Sequence, residues 1–165
     1  LAKLRPAFTK DGTVTAGNAS GINDGAGVVV LGRESAVRER GLTGLVSLEA
    51  VTTAAMEPEL MGYAPTHALK ALFAKTGLTP QDIGVVELNE AFASQAVAVI
   101  RDTGLDPAQV NPYGGAIALG HPVGATGGIL TVRAAKHMVR NDLEYGIVTM
   151  CIGGGQALAA LFRRV

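Results

Sequence analysis

The sequence is short of several things, and each shortage closes a route. Cysteine occurs once, at Cys151, so no internal disulfide and no cysteine-based zinc cluster can form. Tryptophan is absent, and Phe, Tyr and Trp together make up 4%. Neither sign of charge is in excess, with Lys+Arg 14 against Asp+Glu 14. A general nucleic-acid binder needs a basic surplus to neutralise phosphates, so that partner class is excluded. No uninterrupted apolar run reaches the roughly 18 residues of a membrane-spanning helix. The opening residues carry no secretory pattern. The chain opens at Leu1 rather than Met, so a native N-terminus is not in view and organelle targeting stays open.

Glycine, in contrast, is plentiful: 22 of 165 residues, within a chain that is 48% hydrophobic. A chain of this size suits one domain, or one domain plus a fragment of another. It can bury roughly 70% of its unfolded surface. A composition rich in Gly, Ala and Val and poor in aromatics points to helices packed closely onto a sheet.

Hydrophobic periodicity alternates along the chain. Gly27–Leu31 (GVVVL) is a short apolar run that fits a strand buried on both faces. Arg33–Arg40 reads as a charged helix stopped by Gly41. Leu45–Thr53 alternates and is β-branched, so it reads as a strand. Pro65–Lys75 starts with a helix-compatible proline, stops at Gly77 and puts Leu69, Leu72 and Phe73 on one face. Ile83–Leu88 is the next strand. Ala91–Arg101 is a helix with Phe92, Ala96, Val99 and Ile100 on one face and Gly104 as its stop. Val110–Tyr113 is short and extended. After the glycine-rich stretch Gly114–Gly128, Ile129–Arg140 is helical. Tyr145–Ile152 and Gln156–Arg163 are strands flanking Gly153–Gly155 and joined too closely for a crossover, so they should form an antiparallel hairpin. The alternation predicts an α/β fold with a mostly parallel sheet and helical crossovers. There is no low-complexity tract, linker or short-period repeat.

Polar residues interrupt these runs at three strand ends, which is where α/β sheets bind ligands. Asn89 follows a strand and opens a helix; it is either a functional amide or simply a helix cap. His121 lies in Gly114–Pro122, held extended by Pro122 and followed by a helix whose N-terminal N–H groups face the same region. A tight glycine turn is the plainer alternative. Cys151 precedes Gly153–Gly155. A lone cysteine at a strand end is commonly a small apolar side chain, but three successive glycines leave N–H groups free for a developing oxyanion. Together these segments offer an acid/base thiol, an imidazole, an amide and backbone donors. A fourth stretch, Thr13–Gly25, is small and polar and could cradle a phosphate or a pantetheine chain, or be a plain loop. It matches neither the Walker pattern nor the dinucleotide fingerprint.

The segments TVTAGNASGINDGA, ELNEAFA, NPYGGAIALGHPVGATG and CIGGGQ occur in an order and at spacings that resemble the thiolases, the acetyl-CoA acetyltransferase and 3-ketoacyl-CoA thiolase family. The resemblance covers essentially Leu1–Val165. It implies an α/β thiolase-like half, a mixed sheet with helices on both faces in βαβαβαββ-type order. Residues 1–32 would be the tail of the N-terminal thiolase domain with its CoA-binding loop, and residues 33–165 the C-terminal thiolase domain. The nucleophilic cysteine that this family acylates lies in the first half, and no residue here matches it; the loop domain that shapes the acyl pocket is likewise unmatched.

Residue by residue, the resemblance implies that Cys151 is the general acid/base acting on the α-carbon of acetyl-CoA. His121 would help activate the nucleophile and donate to the thioester oxygen. Asn89 would hold a water that supplies the second donor of that oxyanion hole, and the Gly153 N–H would serve another oxyanion hole. Phe8, Ala16, Ser20, Ala91 and Phe92 match positions that contact CoA or its pantetheine arm. CoA and acyl-CoA are then substrates, with no covalently bound cofactor and no metal. The partner is an N-terminal thiolase half within a cytoplasmic homo-oligomer, a dimer or tetramer active in fatty acid metabolism. The alternative is a non-catalytic CoA-binding or assembly subunit without the nucleophile. A ketoacyl-synthase-like domain would want a histidine in place of Cys151. Ala157, where many relatives have glycine, could restrict the start of the last hairpin strand. Two helices, those of Phe92 and Ile129, are the candidates for an exposed apolar face.

Overall fold

A computed structural model describes all 165 residues, Leu1–Val165. The first helix, α1 (Glu34–Glu39), is short and has no buried residue, and it is braced by an Arg38–Glu34 ion pair one turn apart. It stops where Gly41 turns to a φ of 62°, with Gly41 N–H bonded to the Arg38 carbonyl and Leu42 N–H to that of Val37. Strand β1 (Val46–Ala55) and helix α2 (Ala64–Thr76) follow. Pro65 sits in the first turn of α2, and Gly77 ends it in the left-handed conformation. Leu69 and Leu72 are buried, while Phe73 packs at the margin of the core. Next come β2 (Val85–Leu88), α3 (Ala93–Thr103) with its left-handed Gly104 stop, and the four-residue α4 (Ala116–Leu119). Helix α5 (Thr126–Arg140) and strands β3 (Tyr145–Ile152) and β4 (Gln156–Arg164) complete the chain.

The sheet order is β1-β4-β3-β2. The pairing β2–β3 is parallel, while β3–β4 and β1–β4 are antiparallel. The expectation of a mostly parallel sheet is therefore corrected: the sheet is mixed. The cause is one strand. β1, β2 and β3 run the same way, but the glycine turn at Gly153–Gly155 is too short for a crossover and sends β4 back. Inserted between β1 and β3, β4 makes two of the three pairings antiparallel. The short strand expected at Val110–Tyr113 is reduced to one parallel bridge, Val110 to Val86, so the βαβαβαββ order holds with its third strand nearly lost.

The apolar run Gly27–Leu31 does not form a strand. Gly27 instead crosses the first turn of α5 so closely that a β-carbon there would lie 2.7 Å from the Ile129 nitrogen. With no strand beside it, the run has no ladder to join, and Val28, Val30 and Leu31 stand open to solvent. Ile22, 95% exposed, and this run are among the most exposed apolar positions, and the Phe92 and Ile129 helices also expose Val97, Val132 and Val139, while Phe92 and Ile129 are themselves half-buried.

Strand alternation puts a helical layer on each face. Ile147, Ala159 and Leu161 face α2 and α3 in the larger core, whereas Val148 meets Leu130 and Ala134 of α5. Alanines at 157 and 159 of β4 are buried on the face toward α2, which lets that helix approach the sheet closely. Ala157 pairs in regular register with Cys151 and Ala54 and has no positive φ, so it does not strain the hairpin.

The hairpin turn does need glycine at Gly154 and Gly155, with φ of 81° and 87°. A β-carbon on Gly155 would stand 2.1 Å from the Met56 carbonyl oxygen, but one on Gly153 would meet nothing within 4 Å. Gly155→Ala should therefore lower unfolding stability by about 2 kcal/mol or more, combining the left-handed penalty with the clash. Gly153→Ala should stay within about 0.5 kcal/mol of wild type. Urea unfolding of the two variants checks the contrast; equal losses would contradict this geometry.

Candidate active site

β2 is buried at all four positions, and its outgoing end must satisfy its polar groups from the chain that covers it. Three consecutive residues, Leu88, Asn89 and Glu90, do so against the segment 111–121. The Asn111 amide pairs with both backbone groups of Leu88, accepting its N–H at 2.9 Å and donating to its carbonyl at 2.8 Å. Glu90 Oε2 accepts the Ile117 N–H at 3.3 Å. Gly115 passes so close that a β-carbon would overlap the Glu90 carboxyl, 2.1 Å from its carbon. Asn89 completes the set through its contact with His121.

Asn89 does not cap α3; Phe92 occupies that position, and its N–H is accepted by Gln95 Oε1 at 3.4 Å. Instead Asn89 is 1% exposed. Its N–H continues the parallel ladder to the Thr149 carbonyl at 3.0 Å, and its Nδ2 lies 3.3 Å from His121 Nε2. Its Oδ1 is buried without a partner, which leaves an acceptor for one more donor.

His121 is held at both ends. Its backbone N–H is shared between the Gly21 carbonyl at 3.1 Å and Asn23 Oδ1 at 3.3 Å. Its Nδ1 lies 2.7 Å from Thr126 Oγ1. The Thr126 hydroxyl donates to the Pro122 carbonyl at 2.9 Å, so toward His121 it can only accept. Nδ1 therefore carries the proton, and Nε2 presents its lone pair to the Asn89 amide. Burial holds the imidazole pKa below its ordinary value of 6.5, so the ring rests neutral, with Nε2 as a base.

Cys151 is half-buried near the end of β3, two residues past Thr149, and so lies at the same sheet edge as Asn89. It makes no hydrogen bond to Asn89 or His121. Burial pushes the Cys151 thiol pKa up, so its resting form is the protonated thiol. Gly153 lies exposed in the turn beyond it.

The five residues matched to CoA contact fall into two places. Ser20, Ala91 and Phe92 come together, because Ser20 N–H bonds to the Ala91 carbonyl, Ala19 bridges Phe92, and Ala93 N–H bonds to the Asn18 carbonyl. Phe8 lies farther out in the N-terminal loop closed by the Pro6–Thr15 bridge, and Ala16 comes just past that bridge. Phe8 is 75% exposed and lines a shallow hollow of ≈ 250 Å³ with Thr9, Gly12, Thr13 and Val14. Within Thr13–Gly25 the loop satisfies itself in part: Asn18 Oδ1 accepts Thr15 N–H and Asn18 Nδ2 donates to the Thr13 carbonyl.

Three residues at this edge escape a reading of the sequence. Thr126, which sets the His121 tautomer, resembles any residue opening a helix. Glu87 and Arg133 did carry a signal: a carboxylate inside the apolar strand IGVVEL, and an arginine seven residues after Thr126 on the same face of α5. Glu87 is fully buried, with Arg133 Nη2 3.2 Å from its Oε2, yet neither carboxyl oxygen makes a hydrogen bond. The contact is a charge approach without hydrogen-bond alignment. Burial outweighs Arg133 and pushes the Glu87 pKa up to about 7. A cavity of ≈ 260 Å³ beside them is lined by Asn89, Thr126 and Arg133 among others.

The fold and this edge together define an α/β domain with an amide, an imidazole and a thiol gathered at the outgoing ends of two parallel strands. The chain belongs to the thiolase family: residues 42–164 match the thiolase C-terminal domain and residues 1–35 the thiolase N-terminal domain. It is 50% identical to a beta-ketothiolase of Cupriavidus necator over 100% of this chain and 42% of that protein. It is 49% identical to a 3-ketoacyl-CoA thiolase of Bacillus subtilis over 98% of this chain and 41% of that protein. Among solved structures it resembles the Bacillus anthracis acetyl-CoA acetyltransferase with a TM-score of 0.96 at 41% identity, over 99% of this chain and 42% of that one. Human mitochondrial 3-ketoacyl-CoA thiolase in complex with CoA gives a TM-score of 0.90 at 38% identity, with the same shares covered. The chain thus spans about 42% of the length of these relatives.

Glu87 also sets a pH dependence of stability. The unfolded carboxyl titrates near 4.5 and the folded one near 7, so between these values the folded state holds the extra proton. Stability from this group is full below 4.5 and falls as pH rises to about 7, by on the order of 3 kcal/mol. Chemical unfolding of wild type and Glu87→Gln across that window should show their difference changing by this amount; a constant difference would contradict the burial cost.

Proposed function

We propose that this chain supplies the proton-transferring and enolate-binding side of a thiolase active site, acting on acyl-CoA and CoA. The observation that carries this reading is the Asn89–His121–Thr126 chain of contacts, which leaves His121 Nε2 unprotonated, facing the Asn89 amide, at the strand edge that also bears Cys151. In this reading residues 1–32 are the tail of the N-terminal domain and residues 33–165 the C-terminal domain. The acyl-carrying cysteine is supplied by an N-terminal half. In the same reading the assembled protein is a cytoplasmic homo-oligomer that acts in fatty acid metabolism.

In the condensing direction the Cys151 thiolate takes an α-proton from acetyl-CoA, and the enolate carbon attacks the acyl carbon held on the nucleophile. The acyl C–S bond breaks and the nucleophile leaves as thiolate. In thiolytic cleavage the nucleophile attacks the 3-keto carbon, the C–C bond breaks, and the acetyl-CoA enolate takes the Cys151 proton. CoA then accepts the acyl group. The raised thiol pKa suits the second direction, in which Cys151 must begin protonated. His121 Nε2, unprotonated at rest, takes the proton of the nucleophile. As imidazolium it then donates Nε2–H to the thioester oxygen as charge develops, when such a donor contributes most. Asn89 Oδ1 holds a water that supplies the other donor, and the Gly153 N–H serves the second oxyanion hole. Phe8, Ala16, Ser20, Ala91 and Phe92 receive the CoA arm.

The complementation test is direct. Mixed with a thiolase N-terminal half bearing the acyl-accepting cysteine, this chain should support thiolysis of acetoacetyl-CoA, followed by loss of its enolate absorbance. In that assembly Cys151→Ala should still form acyl-enzyme by mass while losing turnover. Thiolysis by the 165-residue chain alone, or turnover within a few-fold of wild type in Cys151→Ala, would refute the assignment. If Asn89 and His121 serve one enolate oxygen, each alanine replacement should cost about 10²–10³ in kcat, and the double variant far less than the product of the two. The acid limb of kcat/KM should fall below the ordinary histidine value of 6.5. Additive losses confined to KM would rule out a shared oxyanion hole.

A further inference from the structure

We propose that the buried Glu87–Arg133 pair is a positioning device that sets the register of α5 along β2, and thereby holds His121 within reach of Asn89. The geometry is a two-rung ladder. In a strand, residues two apart share a face, and Glu87 and Asn89 both point toward α5. On a helix, residues seven apart share a face, and Thr126 and Arg133 are seven apart on α5. The upper rung runs from Asn89 through His121 to Thr126, with separations of 3.3 and 2.7 Å. The lower rung is Glu87 to Arg133 at 3.2 Å.

Arg133 does one thing more: its Nη2 donates to the Gly114 carbonyl, at the start of the segment that ends in His121. One guanidinium therefore ties the strand that carries Asn89 to both the helix and the loop that position His121. It also lines the same cavity as Asn89 and Thr126.

The stability cost of the pair supports a positional role. A carboxylate with both oxygens unpartnered in the interior destabilises the fold near neutral pH, and apolar residues of similar volume would commonly be as good or better. Fixing register is the best-attested use of such a pair. No other charge offsets or competes with it. Arg133 is the only charged group of α5 set against Glu87, β3 presents Gly146 and Val148 at the neighbouring register positions, and the Val110 segment bridging Val86 brings no titratable group. Protonation of Glu87, which has its midpoint at about 7, removes the charge from the lower rung.

This inference rests on the proton-transfer reading of Asn89 and His121, so its test has one arm without turnover. In the full chain, the imidazole nitrogen signals of His121 are followed by NMR as pH crosses 7, in wild type and Glu87→Gln. Wild type should show a second inflection, near 7, in addition to the ring's own titration, and Glu87→Gln should lack it. In the complemented enzyme, Glu87→Gln should lower kcat by about tenfold or more above pH 7, leave KM for CoA unchanged and remove the ionisation near 7 from the kcat profile. Arg133→Lys keeps the charge but not the forked reach to Gly114, and should fall between wild type and Glu87→Gln; it also serves if Glu87→Gln fails to fold. Lowered stability with unaltered His121 signals and an unaltered kcat profile would make the pair merely structural and overturn the proposal. If wild type itself shows no turnover, the proposed function fails, and the imidazole arm still decides whether the ladder exists.

Discussion

The end of β2 is the constraint on which the site depends. Every residue of β2 is buried, so the polar groups where it leaves the sheet have no water to turn to and must be met by protein. The segment 111–121 meets them, one residue after another, from Leu88 to Glu90. That segment has no strand or long helix of its own to hold it in shape. Its conformation is set by these bonds and by Gly115 and Gly120, the latter at a φ of 93°. The same bonds that satisfy a buried strand end therefore carry His121 to its place beside Asn89.

The parallel β2–β3 ladder adds the second half of the arrangement. Because the two strands run in the same direction, their outgoing ends lie at one edge, and Asn89 and Cys151 share it. The reversed β4 then requires a turn right after Cys151, and the tightness of that turn against Met56 demands glycine at Gly155. The glycines beside Cys151 thus answer a backbone need at Gly154 and Gly155, while Gly153 is free of any such need and open to a ligand.

Electrostatics at this edge are governed by burial rather than by charge partners. His121 is pushed toward its neutral form, Cys151 toward its thiol and Glu87 toward its acid. Near neutral pH His121 and Cys151 rest uncharged, while Glu87, with its midpoint at about 7, is about half ionised beside the charged Arg133. Around His121 and Cys151 the groups on offer to a developing charge are fixed dipoles and donors.

Much of this was legible in the chain itself. The helices ending at Gly41, Gly77 and Gly104 and the hairpin Tyr145–Gln156 follow from local chemistry: left-handed glycines, apolar periodicity and a turn too short for a crossover. The motifs around Asn89, His121 and Cys151 mark polar residues at strand ends, a property of neighbours in sequence. What only the tertiary structure decided depends on residues far apart in the chain. Whether Gly27–Leu31 becomes a strand depends on a partner strand, and none lies beside it. The mixed sheet arises because β4 slots between β1 and β3, a placement no local pattern encodes. The proton on His121 Nδ1 is set by where the Thr126 hydroxyl points, and the pairing of Glu87 with Arg133 by how α5 lies across β2. Burial and register are sums over the whole fold, so a sequence names the groups while only the packed structure sets their charge and orientation.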